Sequence, residues 1–217
     1  MLRKTVLVTI LIILVTRVTI AQSDTSYVKP KHFGVATGLG VSLISAPSIV
    51  DYLNSLSQSQ GRVDDFTSAA EFYGTAEFIV RDPWSVKLEY AYILKSYNVG
   101  DGTFSNYTYS YGVHMPSVLI HRFFTDHSSV FKVGGGVGYH IARFSEEYSF
   151  GKKNYRSTGG GIKLEAEMNT SFGDNLYSYI VTEIRKSFMS SLKDANGSEL
   201  VMVNDGTMRS VSMPQPR

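Results

Sequence analysis

Large apolar residues alternate with small or charged residues along most of the chain after residue 32. In the stretch from Val130 to Phe144, large side chains occupy one parity, and Gly134, Gly136 and Gly138 occupy the other. A period of two is typical of a β-strand whose two faces differ. The same alternation begins near His32, Ala70, Ser85, Tyr107, Gly161 and Leu176. An eighth strand is expected between Glu199 and Met213, where Asn204–Gly206 predicts a turn. The pattern therefore predicts an all-β fold.

The connections between these strands alternate in length. Short connections are predicted at Arg81–Trp84, Thr125–Ser129 and Gly173–Asn175, and long ones at Ser45–Asp65, Asn98–Asn106, Ser145–Ser157 and Ser187–Ser198. A single antiparallel up-and-down barrel, with its tight turns at one end and its long loops at the other, has this layout. We predict an eight-stranded barrel over residues 32–213, followed by a tail over 214–217. Helical spacing in Pro47–Ser57 predicts a short helix within the first loop.

The direction in which the large apolar residues point separates a soluble barrel from a transmembrane one. A soluble barrel would bury these large residues and turn the glycine row towards water. Glycine weakens a strand, so an exposed row of glycines would have no structural use there. A transmembrane barrel turns them towards lipid and fills a narrow interior with small and charged side chains. The predicted strands also reach the roughly 9–11 residues that a membrane-spanning strand needs. We therefore predict a transmembrane β-barrel, with a secreted soluble barrel as the alternative.

The N-terminus has the layout of a signal peptide. Arg3 and Lys4 precede the apolar run Val6–Val15, and Thr19 and Ala21 are small residues in front of a cleavage site. We expect residues 1–21 to be removed, which leaves 22–31 as a linker. The whole chain has 21 basic and 19 acidic residues. A charge so close to zero gives no electrostatic reason to expect a nucleic-acid partner, and the absence of cysteine excludes disulfides and thiolate metal sites.

Two consecutive segments resemble a known family. Tyr111–Phe124 (YGVHMPSVLIHRFF) and Val130–Tyr139 (VFKVGGGVGY) are similar to the outer-membrane β-barrel domain of the OmpX/OmpA-like, or "porin family", type. In that type a proline, aliphatic residues and a basic–aromatic pair end one strand, and a glycine-rich strand follows. The resemblance implies an integral protein of the cell outer membrane of a Gram-negative bacterium. Its implied partners are outer-membrane lipid, including lipopolysaccharide, and the barrel assembly machinery.

Ten charged residues share the parity that is predicted to face the barrel lumen. They are Glu71, Glu77, Lys87, Glu89, Lys132, Lys163, Glu165, Glu167, Glu183 and Arg185. Because buried charges must pair and both signs are present, we interpret these residues as a structural network that neutralises itself. The favoured function is that of a structural or interaction protein with a filled lumen and external loops that contact ligands or surfaces. A small porin that passes ions or small solutes is the alternative.

The sequence predicts no catalytic, cofactor or metal site. His127 and Ser129 have a spacing found in some outer-membrane lipid deacylases, but they lie in a turn whose Asp and Ser content needs no further explanation. His114 and His140 share the predicted lumen parity without further metal ligands at a compatible spacing. An aromatic girdle at the membrane interface is predicted from Tyr90, Tyr92, Tyr107, Tyr109 and Tyr111, with a surface that stacks against a ligand as the alternative.

Overall fold

Eleven β-strands and one helix make up the part of the chain that the computed structural model describes. The described residues are 32–45, 47–56, 68–100, 106–125, 129–148, 151–171, 177–204, 207–210 and 215–216. The predicted signal peptide (1–21), the linker (22–31) and the turns at 126–128 and 173–175 lie outside them. The elements are β1 (Phe33–Ser42), β2 (Ile44–Ser45), α1 (Pro47–Leu56), β3 (Ala69–Arg81), β4 (Trp84–Gly100), β5 (Asn106–Thr125), β6 (Ser129–Tyr148), β7 (Gly151–Ser171), β8 (Tyr177–Met189), β9 (Val201–Asn204), β10 (Thr207–Ser210) and β11 (Gln215–Pro216).

Seven of the strands form one antiparallel sheet in the order β1–β3–β4–β5–β6–β7–β8. Every neighbour in this sheet is the next long strand along the chain, so the predicted all-β, up-and-down arrangement is confirmed. The sheet is curled into a half-barrel. Six antiparallel steps separate β1 from β8, so these two edge strands run in the same direction. In the described part of the chain, no helix has the length and hydropathy to cross a membrane.

The two faces of the sheet differ in the way that the alternation predicts. Outward positions carry large apolar side chains that are well exposed, such as Leu39 (76%), Val137 (64%) and Leu164 (66%). Inward positions carry buried charged side chains such as Lys87 and Glu165 in one part of the interior, and buried apolar side chains such as Phe144 in another. The apolar side chains that alternate with the charged positions point away from the interior, which is the reverse of the arrangement in a soluble barrel.

The predicted long loop Ser145–Ser157 is wrong in its extent, because both flanking strands continue through it. β6 runs to Tyr148 and β7 begins at Gly151. Glu147 lies directly opposite Lys152 in the register of the two strands, and their side chains are 3.2 Å apart. Opposite charges in cross-strand positions stabilise a hairpin. The charged composition that suggested a loop therefore belongs to an extended hairpin.

The eighth strand predicted between Glu199 and Met213 is not part of the seven-stranded sheet that the structure describes. β9 and β10 pair with each other, with Val201 opposite Ser210. β11 pairs with β2. Asn204 faces Thr207 across the predicted turn, and this local hairpin takes the backbone hydrogen bonds that an eighth strand would share with its neighbours. β1 and β8 are thus the two edges of the described sheet.

A short helix packs into the interior at the end where the long connections lie. α1 confirms the helix predicted at Pro47–Ser57. Its side chains Ile49, Val50 and Leu53 are at most 1% exposed and belong to one apolar cluster with Phe144 of β6. This cluster also contains inward-facing residues of β4 to β7 and of the chain beyond β8, namely Ala91, Ile93, Tyr109, Tyr111, Met115, Ala142, Tyr155, Leu192 and Leu200.

Tyr52 connects the helix to the sheet. Its hydroxyl donates a hydrogen bond to Glu146 Oε1 at 2.5 Å, and its ring meets Phe144 edge-on with the ring centroids 6.3 Å apart. Burial, together with the neighbouring carboxylate, raises the pKa of Tyr52 well above its ordinary value. The hydroxyl therefore keeps its proton near neutral pH and remains the donor to Glu146.

The interior thus has two layers. Along β4 the inward positions run from Ser85, Lys87 and Glu89 near the tight turn to Ala91 and Ile93 towards the long connections. The layer nearest the tight turns is charged. The layer nearest the long connections is apolar and aromatic, and α1 packs against it.

Truncation of Leu53 tests the packing of α1. Leu53→Ala should lower the free energy of unfolding by about 2–5 kcal/mol, because it removes buried methyl groups and leaves a cavity. The control is Asp51→Ala on the exposed side of the same helix, which should change it by less than about 0.5 kcal/mol. Trp84, the only tryptophan, reports unfolding by its fluorescence during a urea titration. Equal losses for the two variants would contradict the packing of α1 in the interior.

Candidate functional site

The charged layer of the interior is the candidate functional site. The structure places all ten predicted residues on the inner face of the curled sheet: Glu71 and Glu77 on β3, Lys87 and Glu89 on β4, Lys132 on β6, Lys163, Glu165 and Glu167 on β7, and Glu183 and Arg185 on β8. Each strand contributes at alternate positions because successive side chains of a strand point to opposite faces. Several of the ion pairs that these residues form link strands that are not neighbours in the sheet.

The clearest link across the interior joins β4 to β7. Lys87 Nζ lies 2.9 Å from Glu167 Oε2 and also binds Glu165. Three strand spacings separate β4 from β7 in the sheet order, which corresponds to roughly 14 Å along the sheet. A lysine–glutamate ion pair bridges that separation only if the sheet curls and brings the two strands to face each other. This contact therefore shows that the sheet is curved between β4 and β7.

A second link brings the last strand of the sheet to the first strands. Arg185 Nη2 on β8 lies 3.0 Å from Glu71 Oε1 on β3 and also binds Glu183. Ser42 at the end of β1 donates a hydrogen bond to the same Glu71 side chain. Because Glu71 accepts from both β1 and β8, the two edges of the sheet converge on one carboxylate.

Lys163 lies at the centre of three carboxylates. Its Nζ is 2.5 Å from Glu89 Oε1, 2.8 Å from Glu165 Oε2 and 2.5 Å from Glu183 Oε2. One oxygen from each of these carboxylates lies within 4.8 Å of the others, a spacing that also suits a metal ion. The ammonium group of Lys163 already fills that position, and Lys87 and Arg185 contact the same carboxylates from other sides. The geometry therefore favours an internal ion cluster over a metal centre.

Lys132 completes the network on the side of the tight turns. Its Nζ lies 2.8 Å from Glu167 Oε1 and also binds Glu77. Glu77 accepts a further hydrogen bond from the Ser85 hydroxyl at 2.6 Å. Six carboxylates and four basic side chains meet in this layer. Each basic side chain contacts at least two of the carboxylates.

His121 is the interior residue that the sequence interpretation missed. Its side chain is fully buried, with Nε2 3.4 Å from Glu165 and Nδ1 3.9 Å from Glu77. It shares the inward parity of β5 with Met115 and Leu119, both fully buried. The signal that could have identified it is this shared parity with Met115 and Leu119 along β5.

The predicted pair His114 and His140 is divided between the two faces. His140 is buried, and its Nδ1 lies 2.8 Å from the Ser187 hydroxyl. The prediction for His114 is wrong, because His114 lies directly opposite Tyr92 in the register of β4 and β5, and paired residues share a face. On that outer face its Nδ1 hydrogen-bonds the Tyr90 hydroxyl at 2.6 Å.

The tyrosines of the predicted girdle divide in the same way. Tyr90 and Tyr92 are on the outer face around His114. Tyr109 and Tyr111 are buried in the apolar cluster below α1. The side chain of Tyr107 is not among the parts of the chain that the structure describes. These tyrosines are close together in the sequence, but they point to different faces of the sheet and do not form one girdle.

Glycines leave the space that the two interior histidines occupy. A Cβ at Gly134 would lie 2.3 Å from His121 Cδ2, and one at Gly161 would lie 2.3 Å from His140 Cε1. Gly136 faces the backbone of β5 so closely that a Cβ would lie 2.0 Å from the carbonyl oxygen of Val118. The glycine row therefore makes room for neighbouring side chains and backbone inside the curled sheet. The remaining predicted pair is not placed, since His127 lies outside the described residues and Ser129 begins β6.

Removal of one basic group tests the network. Lys163→Met should lower the free energy of unfolding by about 3–5 kcal/mol, because the buried carboxylates of Glu89 and Glu165 and the half-buried one of Glu183 lose their shared partner. The control Lys152→Met breaks the exposed pair with Glu147 and should cost less than about 1 kcal/mol. Urea unfolding followed by Trp84 fluorescence measures both. A Lys163→Met loss as small as the control would show that the ion pairs do not hold the interior together.

Comparison with known proteins identifies no relative: no family model, no curated protein and no solved structure matches the chain. The function is therefore inferred from the fold and the side-chain geometry.

Proposed function

We propose that the chain is an integral β-barrel protein of the cell outer membrane, of structural or interaction type, with a filled lumen that does not conduct. The observation that carries this proposal is the outer face of the sheet. The outward positions from Phe131 to Ile141 on β6 carry no charge, and neither do those from Thr158 to Met168 on β7. Both runs span eleven residues, close to the roughly 9–11 that a spanning strand needs.

Other strands carry outward runs of the same length. On β3 and β4 the outward positions from Ala70 to Val80 and from Trp84 to Leu94 are uncharged. In water, a continuous exposed apolar surface of this size would favour aggregation. In a bilayer the same surface meets hydrocarbon, and the inward charges are shielded from it. The outer face therefore supports a membrane location over a soluble barrel.

Closure of the barrel requires a strand that runs opposite to both β1 and β8, because these two edges point the same way. Glu199–Met213 is the segment that we propose as this eighth strand. Leu200 is buried, and its N–H donates to the Leu192 carbonyl at 2.8 Å. That contact holds the start of the segment at the end of the barrel from which a descending strand must begin. Its insertion would replace the β9–β10 pairing.

The contents of the interior favour a closed barrel over the alternative small porin. An eight-stranded barrel has just enough room for its side chains. Here α1 and the apolar cluster occupy one layer, and the ion-pair network occupies the other. The external loops and the extended β6–β7 hairpin are the surfaces left for ligands. Outer-membrane lipid and the barrel assembly machinery are the proposed partners, and neither a cofactor nor a catalytic step is proposed.

Single introduced cysteines test the membrane location, because the native chain contains none. Val137→Cys and Leu164→Cys lie within the uncharged outward runs, and Asn154→Cys, which is exposed on β7 beyond the run, is the control. In vesicles, probes at the first two sites should be quenched by lipid-borne quenchers and be protected from a water-soluble maleimide. The probe at Asn154 should show the opposite behaviour. Equal labelling by the maleimide at all three sites would contradict the proposal.

A further inference from the structure

Two arginines face each other across neighbouring strands on the outer face. Arg143 of β6 lies directly opposite Arg156 of β7 in the register, and both side chains are exposed. Like charges in this arrangement destabilise a sheet. Among the described residues, neither guanidinium forms an ion pair with a carboxylate. The pair therefore creates a local positive charge that the described part of the protein does not neutralise.

A lysine extends the pair into a row. The backbones of Arg156 and Lys193 exchange hydrogen bonds, with the Arg156 N–H donating at 2.7 Å and the Lys193 N–H donating at 2.9 Å. Lys193 is itself exposed and lies 3.5 Å from Glu199, so it shares its charge with that carboxylate. Three basic side chains thus follow one another across three adjacent segments of chain.

The row lies at one border of the apolar outer surface. Arg143 is the next outward residue after Ile141, and Arg156 is the next outward residue after Thr158, where the uncharged runs on β6 and β7 end. Further along the hairpin, the outward pair Glu147 and Lys152 neutralises itself. Within the β6–β7 hairpin, the outward charge that has no opposite partner is therefore confined to this border.

We infer that Arg143, Arg156 and Lys193 bind the phosphate headgroup of an outer-leaflet lipid whose acyl chains lie along the apolar surfaces of β6 and β7. A guanidinium binds phosphate through two parallel hydrogen bonds. A phosphate between Arg143 and Arg156 would attract both guanidinium groups and offset the repulsion between them. Val137, Ile162 and Leu164, at 52–66% exposure, continue from the row as an apolar track. That continuity selects a lipid over free phosphate. The inference rests on the proposed function, because it requires the apolar surface to lie in a membrane.

The test compares the binding of a phosphorylated lipid by wild-type protein and by Arg143→Gln/Arg156→Gln. Both are folded into phosphatidylcholine nanodiscs with and without a minor fraction of diphosphorylated lipid A, and bound lipid is counted by native mass spectrometry. Wild-type protein should retain lipid A about tenfold or more tightly than the double variant, as expected for the loss of charge-assisted hydrogen bonds. Arg122→Gln is the matched control, since Arg122 is exposed on the outer face near the tight turns, beside Trp84 and Phe124, and it should bind lipid A like wild type.

A stability measurement in phosphatidylcholine alone gives an independent check. There the double variant should unfold at the same temperature as wild type or higher, because it relieves the repulsion between the arginines. Added lipid A should raise the unfolding temperature of wild type and leave that of the double variant unchanged. Inorganic phosphate should not replace lipid A, and an equal effect of phosphate would overturn the assignment to a lipid.

The outcomes separate the inference from the proposed function. If wild type and the double variant both insert and retain lipid A equally, the basic row is only a solvated surface and the inference is wrong. If wild type fails to insert into nanodiscs at all, the proposed membrane location fails, and the inference fails with it.

Discussion

The ion pairs that cross the interior determine the shape of this protein. Lys87 joins β4 to β7, and Arg185 joins β8 to β3; neither contact exists in a flat sheet. A charge buried without a partner costs several kcal/mol, so the curled form is the one in which these side chains are satisfied. Once the sheet curls in this direction, the opposite parity of every strand must face outward. The exposed apolar surface is thus a consequence of where the charges pair.

The two layers of the interior depend on different forces. In the charged layer, electrostatic attraction holds the ammonium group of Lys163 between three carboxylates. In the apolar layer, Ile49 and Leu53 of α1 pack against aromatic side chains of the sheet. Arg185 lies at the boundary, where its Nη1 contacts Met115 Sδ at 3.1 Å. The interior of the curled sheet is therefore filled by ion pairs in one layer and by apolar packing in the other.

Much of this arrangement could be predicted from the sequence, because a period of two specifies both the strand and the face of each residue. The seven strands, the inward charges and α1 follow from local patterns. The pairing partners do not: nothing in the sequence around Lys87 indicates that β7 lies across from it. His114 was assigned to the wrong face because its side depends on the cross-strand register with Tyr92. The sequence predicts a turn at Asn204–Gly206 but not the pairing of β9 with β10, because the flanking residues also suit a single strand, and local pairing of Val201 with Ser210 competes with closure of the sheet.

Ion conductance through purified wild-type protein in a planar lipid bilayer tests the central claim most directly. If the ion-pair network and α1 fill the interior, insertion should produce no steady single-channel current at any moderate voltage. Steady, large currents from the wild-type protein would contradict the account and would support the porin alternative.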